Sequence, residues 1–297
     1  MVKVDFGKVG LWSAAPTRMS ATEAKDFAAE VEDLGYPTLW YPESVGGKES
    51  IGLGALLLSW TSGMRIASGI SNIAARDPMA MASGARMLAD AFPGRFVLGI
   101  GASTDLSLAM RGAEYAKPYS RVVAYLDGMG AFDHQTPDPA EPVALVLAAL
   151  GPRMLKLAAE RSLGAHSYFV PAEHTAFARQ VLGNGPVLAP ELPFLVCASR
   201  DEARQVAGSH MEFYLSRRPY ADNMRRLGFS EEDLQGSGSD RLFDSIVAWG
   251  SADDVQRRVV EHLDAGADHV CIEPMTPTKS RSGLDQIRQV TPAMLEI

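Results

Sequence analysis

Short apolar runs alternate with amphipathic stretches along the whole chain. Val9–Trp12 reads as a first strand, and Thr22–Leu34 as a helix with Phe27, Val31 and Leu34 at helical spacing, stopped by Gly35. Thr38–Tyr41 is a β-branched and aromatic strand, and Gly52–Trp60 is a helix apolar on most sides. Arg65–Ile70 predicts the third strand. The helix Pro78–Ala89 follows, begun by Asp77 as N-cap with Pro78 in its first turn. Arg95–Ile100 is a fourth strand, separated by a looser stretch, Gly101 to Pro118, from the helix Arg121–Met129. The rhythm then repeats. Strands are predicted at Val143–Leu150, Ala165–Val170, Leu192–Ala198 and His269–Glu273. Between them lie a helix from Gly151-Pro152 through Glu160, then Glu173–Leu182, a long helical region Asp201–Trp249, and Asp253–Ala265; Leu284–Leu295 closes the chain. The region Asp201–Trp249 is interrupted only at Gln235-Gly-Ser-Gly-Ser.

Some eight strand–helix units match an α/β fold of the (β/α)8 TIM barrel type, with insertions after strands 4 and 7, as one domain over residues 1–297. A doubly wound open sheet is the alternative. It usually carries a Gly-rich turn after its first strand, and Gly10-Leu-Trp-Ser-Ala-Ala has none. On a barrel, chemistry sits where strands end. The positions to weigh are Trp12–Ser13, Glu43–Ser44, Gly69–Asn72, Gly101–Asp105, Leu150–Arg153, Tyr168–Pro171, Ala198–Arg200 and Glu273–Met275.

Composition narrows the function. The 297 residues are 46% hydrophobic and 22% charged, ordinary for a globular chain that needs no disulfide or metal staple. A net charge of −8 argues against nucleic acid or an anionic membrane surface as the main partner. No apolar run approaches the ~18–20 residues of a membrane helix. Lys3, Asp5 and Lys8 stand where a signal peptide would be apolar, and two lone cysteines, Cys197 and Cys271, suit a reducing cytoplasm. Both cysteines read as small core residues.

Familiar catalytic signatures are missing. Gly101-Ala-Ser-Thr-Asp fails as a nucleophile elbow at its fifth position, and Gly46-Gly47-Lys48 lacks the upstream glycine of a phosphate loop. The six histidines include no His-x-x-x-His pair, so no metal is expected, and His262 is placed on a solvated helix face. Difficult chemistry would then come from a bound cofactor. Ala149-Leu150-Gly151-Pro152-Arg153 is the best anion site. A strand ends and a helix begins there, free amides point outward, and Arg153 adds charge. The alternative is an ordinary Gly-Pro helix start with a solvated arginine. Gly69 inside a strand marks either a bulge or a packing glycine. Glu43 is either an acid, base or flavin-edge acceptor, or a capping or salt-bridged carboxylate. Arg217-Arg218-Pro-Tyr220 is an anion clamp or a solvated basic turn, and Asp268-His269, before the last strand, is a stability feature at the barrel floor.

Four segments in order, Gly69-Ile-Ser-Asn-Ile-Ala-Ala-Arg-Asp-Pro, Gly94-Arg-Phe-Val-Leu-Gly-Ile-Gly, Ala148-Ala-Leu-Gly-Pro-Arg-Met-Leu and Ala265-Gly-Ala-Asp-His-Val, resemble the luciferase-like monooxygenase superfamily. Within it they look like the actinobacterial oxidoreductases that use the deazaflavin coenzyme F420. The resemblance implies a flavin or deazaflavin across the C-terminal mouth of the barrel. It implies a non-prolyl cis peptide at Gly69-Ile70 behind the ring, Ser71 and Asn72 near the ring edge, and Glu43 beside it. Leu150 and Gly151 would donate to the cofactor phosphate, with Arg153 nearby. Catalysis is assigned to Glu43 and Ser71, and the general acid to Glu43, Asp105 or Tyr168.

The departures are specific. Ser44 stands where the sugar-phosphate dehydrogenases of the family carry a catalytic histidine, and Lys48 where they carry an aromatic. Ala102-Ser-Thr-Asp-Leu lacks the histidine of many relatives. The expectation is therefore a cytoplasmic F420-dependent oxidoreductase acting on a small-molecule substrate, with a possible homodimer through its outer helices. The rivals are an FMN-dependent monooxygenase and a barrel that binds its cofactor without turnover.

Overall fold

Ten parallel strands make one sheet in this computed structural model, which describes residues 4–112, 114, 116–277 and 282–297. They are β1 (Val9–Trp12), β2 (Thr38–Tyr41), β3 (Arg65–Ser68), β4 (Ser71–Asn72), β5 (Phe96–Gly101), β6 (Ala144–Ala148), β7 (Gly164–Ser167), β8 (Val187–Val196), β9 (Ala248–Gly250) and β10 (Val270–Pro274). Eight of them close a barrel in the order β1-β2-β3-β5-β6-β7-β8-β10, with β10 pairing both β1 and β8. Helices alternate with the strands, so the predicted (β/α)8 architecture is the observed one. β4 continues past β3 against β5, and β9 lies beside the end of β8.

The strand pleat sorts side chains into two cores. Leu11, Leu39, Ile66, Leu98, Leu147 and Ile272 face the helices, while Trp12, Trp40, Ala67, Val97, Val146, Ala189 and Cys271 face the lumen. The lumen is filled by stacked rings rather than branched aliphatics. Trp40 stacks on His166 at 4.8 Å and on Phe6 at 5.8 Å. His269 bonds Trp40 Nε1 through Nε2 at 3.0 Å and the Gly7 carbonyl through Nδ1 at 2.8 Å. Gly10 makes room for this ring, since a Cβ there would lie 2.5 Å from it. Asp268 accepts from Leu188 N at 2.8 Å and Arg179 Nη2 at 2.5 Å. Asp268-His269 thus ties the barrel floor, as its place before the last strand predicts.

Four sequence expectations need correction. The third strand stops at Ser68 and resumes as β4. Between the pairs Ala67↔Val97 and Ser71↔Ile100 one strand advances four residues and the other three, which is a bulge. β8 starts at Val187, five residues before the predicted Leu192. Pro190 made that segment read as loop, while Pro193 lies within the predicted strand. β8 pairs β7 along its first half and β10 along its second, so each proline has an edge where its missing N–H breaks no ladder. The region Asp201–Trp249 is three helices, Arg200–Leu215, Arg218–Arg226 and Asp240–Ile246, followed by β9. They build a separate small core around Phe169, Met211, Met224 and Phe243. Finally, His262 is buried, not solvated. The helix Ala252–Asp264 buries Val255, Val259 and His262 on one face, and the imidazole Nδ1 bonds Thr175 Oγ1 at 2.8 Å.

Cys271 is buried and Cys197 partly so, both as free thiols. Among the described residues, no helix is long and apolar enough to cross a membrane.

Candidate active site

The carboxyl ends of β2, β3 and β5 meet at the bulge. The Gly69-Ile70 peptide is cis. Its groups are held from three sides: Gly69 N donates to Tyr41 O at 2.8 Å, Trp12 Nε1 to Gly69 O at 3.0 Å, and Glu43 N to Ile70 O at 3.1 Å. Ser68 Oγ bridges to Gly99 N and O, both at 2.9 Å, where the ladder is broken. The Ile70 side chain lies over β5, where a Cβ on Gly101 would come within 3.0 Å of it and within 2.9 Å of Ala148 Cβ. The bulge is therefore one strand from the end of β6 and the Leu150–Arg153 turn.

Glu43 and Ser71 are enclosed beside the bulge. The Glu43 side chain is 4% exposed and ion-paired with Arg76, which also reaches Glu49. The Glu43 carboxylate further accepts from Asn72 N at 2.8 Å and Ser50 N at 3.4 Å. Ser71 Oγ shares a 2.7 Å hydrogen bond with Ser50 Oγ, fully buried. Asn72 turns its Oδ1 to Ala74 N at 2.9 Å. Glu43, Ser71 and Asn72 thus come together as predicted neighbours, each already partnered within the protein. Glu43 also lines, with residues 44–49, Ile51, Ala75, Arg76, Ala80 and Arg111, a cavity of about 520 Å³.

At the end of β6, Gly151 is the N-cap of the helix Pro152–Arg161 and no side chain caps its amides. His174 Nε2 bonds the Leu150 carbonyl at 2.9 Å and steadies the turn. The Arg153 guanidinium lies over the Tyr119 ring, 4.3 Å from its centre. A cation that the sequence did not reveal also stands at this turn. Arg226 Nη2 is 3.7 Å from where a Gly151 Cβ would be, and its Nη1 bonds Asn223 Oδ1 at 2.7 Å. Arg226 is 75 residues away in sequence, so only the fold could reveal it. Asp105, another acid candidate, begins the short helix Asp105–Ala109 in the stretch expected to be loose, with its carboxylate 4.0 Å from Arg217.

Between these groups the lumen opens on an acidic and aromatic cluster. Tyr168 Oη donates to Glu273 Oε2 at 2.5 Å, and Phe169 N donates to Glu191 Oε2 at 3.0 Å. Tyr168 packs against Trp12 at 5.1 Å and Tyr214 at 5.0 Å. Burial, then the neighbouring Glu273 charge, pushes the Glu191 carboxyl well above the usual range; burial raises Glu273 as well. Burial lowers His210, which packs against Tyr214, to about 4. Tyr168 and Glu273 stand at predicted strand ends. Glu191 was missed because it precedes the predicted strand by one residue.

Known proteins place this architecture. A model of luciferase-like monooxygenases matches residues 4–269. The chain belongs to the luciferase-like monooxygenase family. A 5,10-methylenetetrahydromethanopterin reductase of Methanolobus tindarius is 21% identical over 299 residues, spanning 86% of this luciferase-like chain and 91% of its own. An F420-dependent secondary alcohol dehydrogenase, solved with an F420–acetone adduct, superposes with a TM-score of 0.75 at 15% identity, covering 96% of this chain and 98% of its own. The oxygenating constituent of 3,6-diketocamphane monooxygenase from Pseudomonas putida, solved with FMN, superposes at 0.69 and 16% identity, covering 96% and 98%. At these identities the two structures share the fold.

The luciferase-like mouth suits an anionic ring cofactor by its donors. Among the described residues, Arg111 Nε, Arg217 Nε and Asn223 Nδ2 are buried without hydrogen-bond partners. With the uncapped helix start they form a set of free donors around the mouth, and Arg226, bonded to Asn223 Oδ1, stands beside it.

Proposed function

We propose that the chain is an F420-dependent oxidoreductase that passes a hydride between the deazaflavin and a small organic substrate. The observation that carries the reading is the pairing of the bulged Gly69-Ile70 wall with an uncapped, arginine-flanked helix start one strand away. In this reading the Leu150 and Gly151 backbone, Arg153 and Arg226 hold the phosphate, and Arg111 and Arg217 face the acidic tail. Gly69, Ile70 and Asn72 border the ring. Glu43 and Ser71, each locked by buried partners, hold that border in shape rather than meeting the substrate as free groups. When bound, the deazaflavin supplies hydride transfer at ring carbon C5, and the protein supplies position and a proton. The sequence resemblance supports F420 over FMN.

The reading takes the chain as one catalytic domain over residues 1–297, working in the cytoplasm. A homodimer would pair outer helices, where Met79 and Met87 are more than half exposed. The test is fluorescence titration of the purified protein with F420 and, separately, with FMN. F420 is expected to bind more tightly; equal or tighter FMN binding turns the assignment to the monooxygenase reading. Tight F420 binding with no turnover across a broad substrate panel would make it a binding protein.

A further inference from the structure

We propose that Tyr168, Glu273 and Glu191 form a proton relay at the barrel mouth, with Tyr168 as the catalytic residue that exchanges a proton with the substrate. This rests on the oxidoreductase reading above and names the proton-handling residues that reading lacks. Glu43 is consumed by Arg76, so the mouth needs another proton carrier.

The geometry begins with the pleat. Along β8 and β10, Ala189 and Cys271 face the lumen, Leu192 and Ile272 face out, and Glu191 and Glu273 therefore face in. Glu191 pairs in register with Cys271, two residues before Glu273, so the carboxyls occupy adjoining levels of one wall. Glu191 is fully buried, and among the described residues its Oε1 has no hydrogen-bond partner. Among the described residues neither carboxylate forms an ion pair. With Glu191 buried, Glu273 half-buried and the exposed Arg18 acting on Glu273, ionising both carboxyls is costly, and the pair holds one proton. Such a pair adds less stability than apolar side chains of the same size, which argues for a function.

Tyr168 connects the pair to the mouth. Phe169 adopts a left-handed backbone, φ 57°, uncommon for a bulky residue. That turn aims Phe169 N at Glu191 and the Tyr168 hydroxyl at Glu273. The Tyr168 ring packs on Trp12, whose indole holds the Gly69 carbonyl of the bulged wall. Other titratable groups face the cluster from every side: Cys271 on β10, His166 on β7, His210 and Tyr214 on the helix Arg200–Leu215, Tyr220 on the next helix, and Arg18 near the first strand. Burial holds His166 and His210 neutral, which leaves the carboxyl pair as the proton reservoir.

In the oxidation direction the substrate O–H bond breaks and its proton joins Tyr168 Oη, while the original Tyr168 O–H bond breaks and that proton joins Glu273 Oε2. The relay moves one proton and no electrons. The hydride and its electron pair leave the substrate carbon for the oxidised cofactor of the proposed reaction. Reduction runs the same proton path backwards.

The deciding measurement is infrared titration of the protein alone, with Tyr168→Phe, Glu273→Gln and Glu191→Gln beside wild type. Wild type is expected to show a protonated carboxyl band at neutral pH that Glu191→Gln abolishes. Tyr168→Phe removes the hydroxyl that favours ionised Glu273, so the band should titrate at higher pH. A band missing from wild type, or a midpoint that Tyr168→Phe leaves unmoved, overturns the relay. F420 affinity of Tyr168→Phe, read by fluorescence, should stay within about threefold of wild type, because a phenyl ring keeps the packing. Absence of F420 binding in wild type would instead sink the cofactor reading. On any alcohol of the substrate panel that wild type oxidises, Tyr168→Phe should lose kcat ~100-fold or more with little change in KM, the usual scale of a lost acid–base group. Retention of more than half the wild-type kcat would also refute the relay.

Discussion

His269 at the barrel floor offers a direct test of how the lumen is packed. Its Nε2 accepts from Trp40 and its Nδ1 faces the Gly7 carbonyl, so the neutral ring with a proton on Nδ1 satisfies both partners. Protonating Nε2 would set two N–H groups against each other in a water-free site. Burial accordingly lowers this imidazole from 6.5 to about 4; the Gly7 carbonyl and Asp5 and Asp268 oppose the shift, and His166 adds to it. The folded value lies below the unfolded one. The contribution to stability is therefore complete above about pH 6.5 and is lost as pH falls through that value toward 4. At more than ~1 kcal/mol for each tenfold difference in proton affinity, the full loss is ~3 kcal/mol, with ~2 kcal/mol already gone at pH 5.

His269→Asn removes that dependence along with the ring. Lost packing and hydrogen bonds should destabilise by ~3 kcal/mol near pH 7.5. At pH 5 the difference from wild type should shrink to ~1 kcal/mol, because wild type then bears its own penalty. Urea unfolding of both proteins at the two pH values measures this. The double comparison is needed because Glu191 and Glu273, raised by burial, act with the opposite sign: their contribution is present at low pH and fades as pH rises. Such groups are common to both proteins and cancel. A destabilisation that is the same at both pH values would refute the neutral, tautomer-locked His269.

Two further substitutions probe the mouth. Gly151→Asp should weaken F420 binding by roughly 10-fold or more, through repulsion and a lost charge-assisted hydrogen bond, while thermal melting stays near wild type. A Cβ there would have Arg226 Nη2 as its near neighbour, at 3.7 Å, so the backbone accepts the substitution, and unchanged affinity in this folded variant would remove the phosphate site. Glu43→Gln leaves the mostly buried Arg76 without its main counter-charge and should destabilise by ~2–4 kcal/mol, read as a lower Tm. An unchanged Tm would show that the Glu43–Arg76 pair does not brace the rim.

Pattern alone determined the barrel. Period-two and period-3.6 runs are local, and eight of them in alternation leave few ways to bury their apolar faces. Gly69 within a strand and Gly151 between a strand and a helix were legible for the same reason, because glycine there reports a backbone demand at its own position. The partners of those positions were not local. Glu43 reads the same in sequence whether it is free or clamped, and it took Arg76, 33 residues on, to decide. Arg226 reaches Gly151 only because the helices after β8 fold back over the mouth. Pro190 hid the first half of β8, and with it Glu191, since a strand laddered by different neighbours on its two halves tolerates residues that a local reading takes for loop. His262 looked solvated because one helix's periodicity cannot say which neighbour will cover it. The acid pair Glu191 and Glu273 needed register between β8 and β10, which pairing across 80 residues of chain sets and no local propensity encodes.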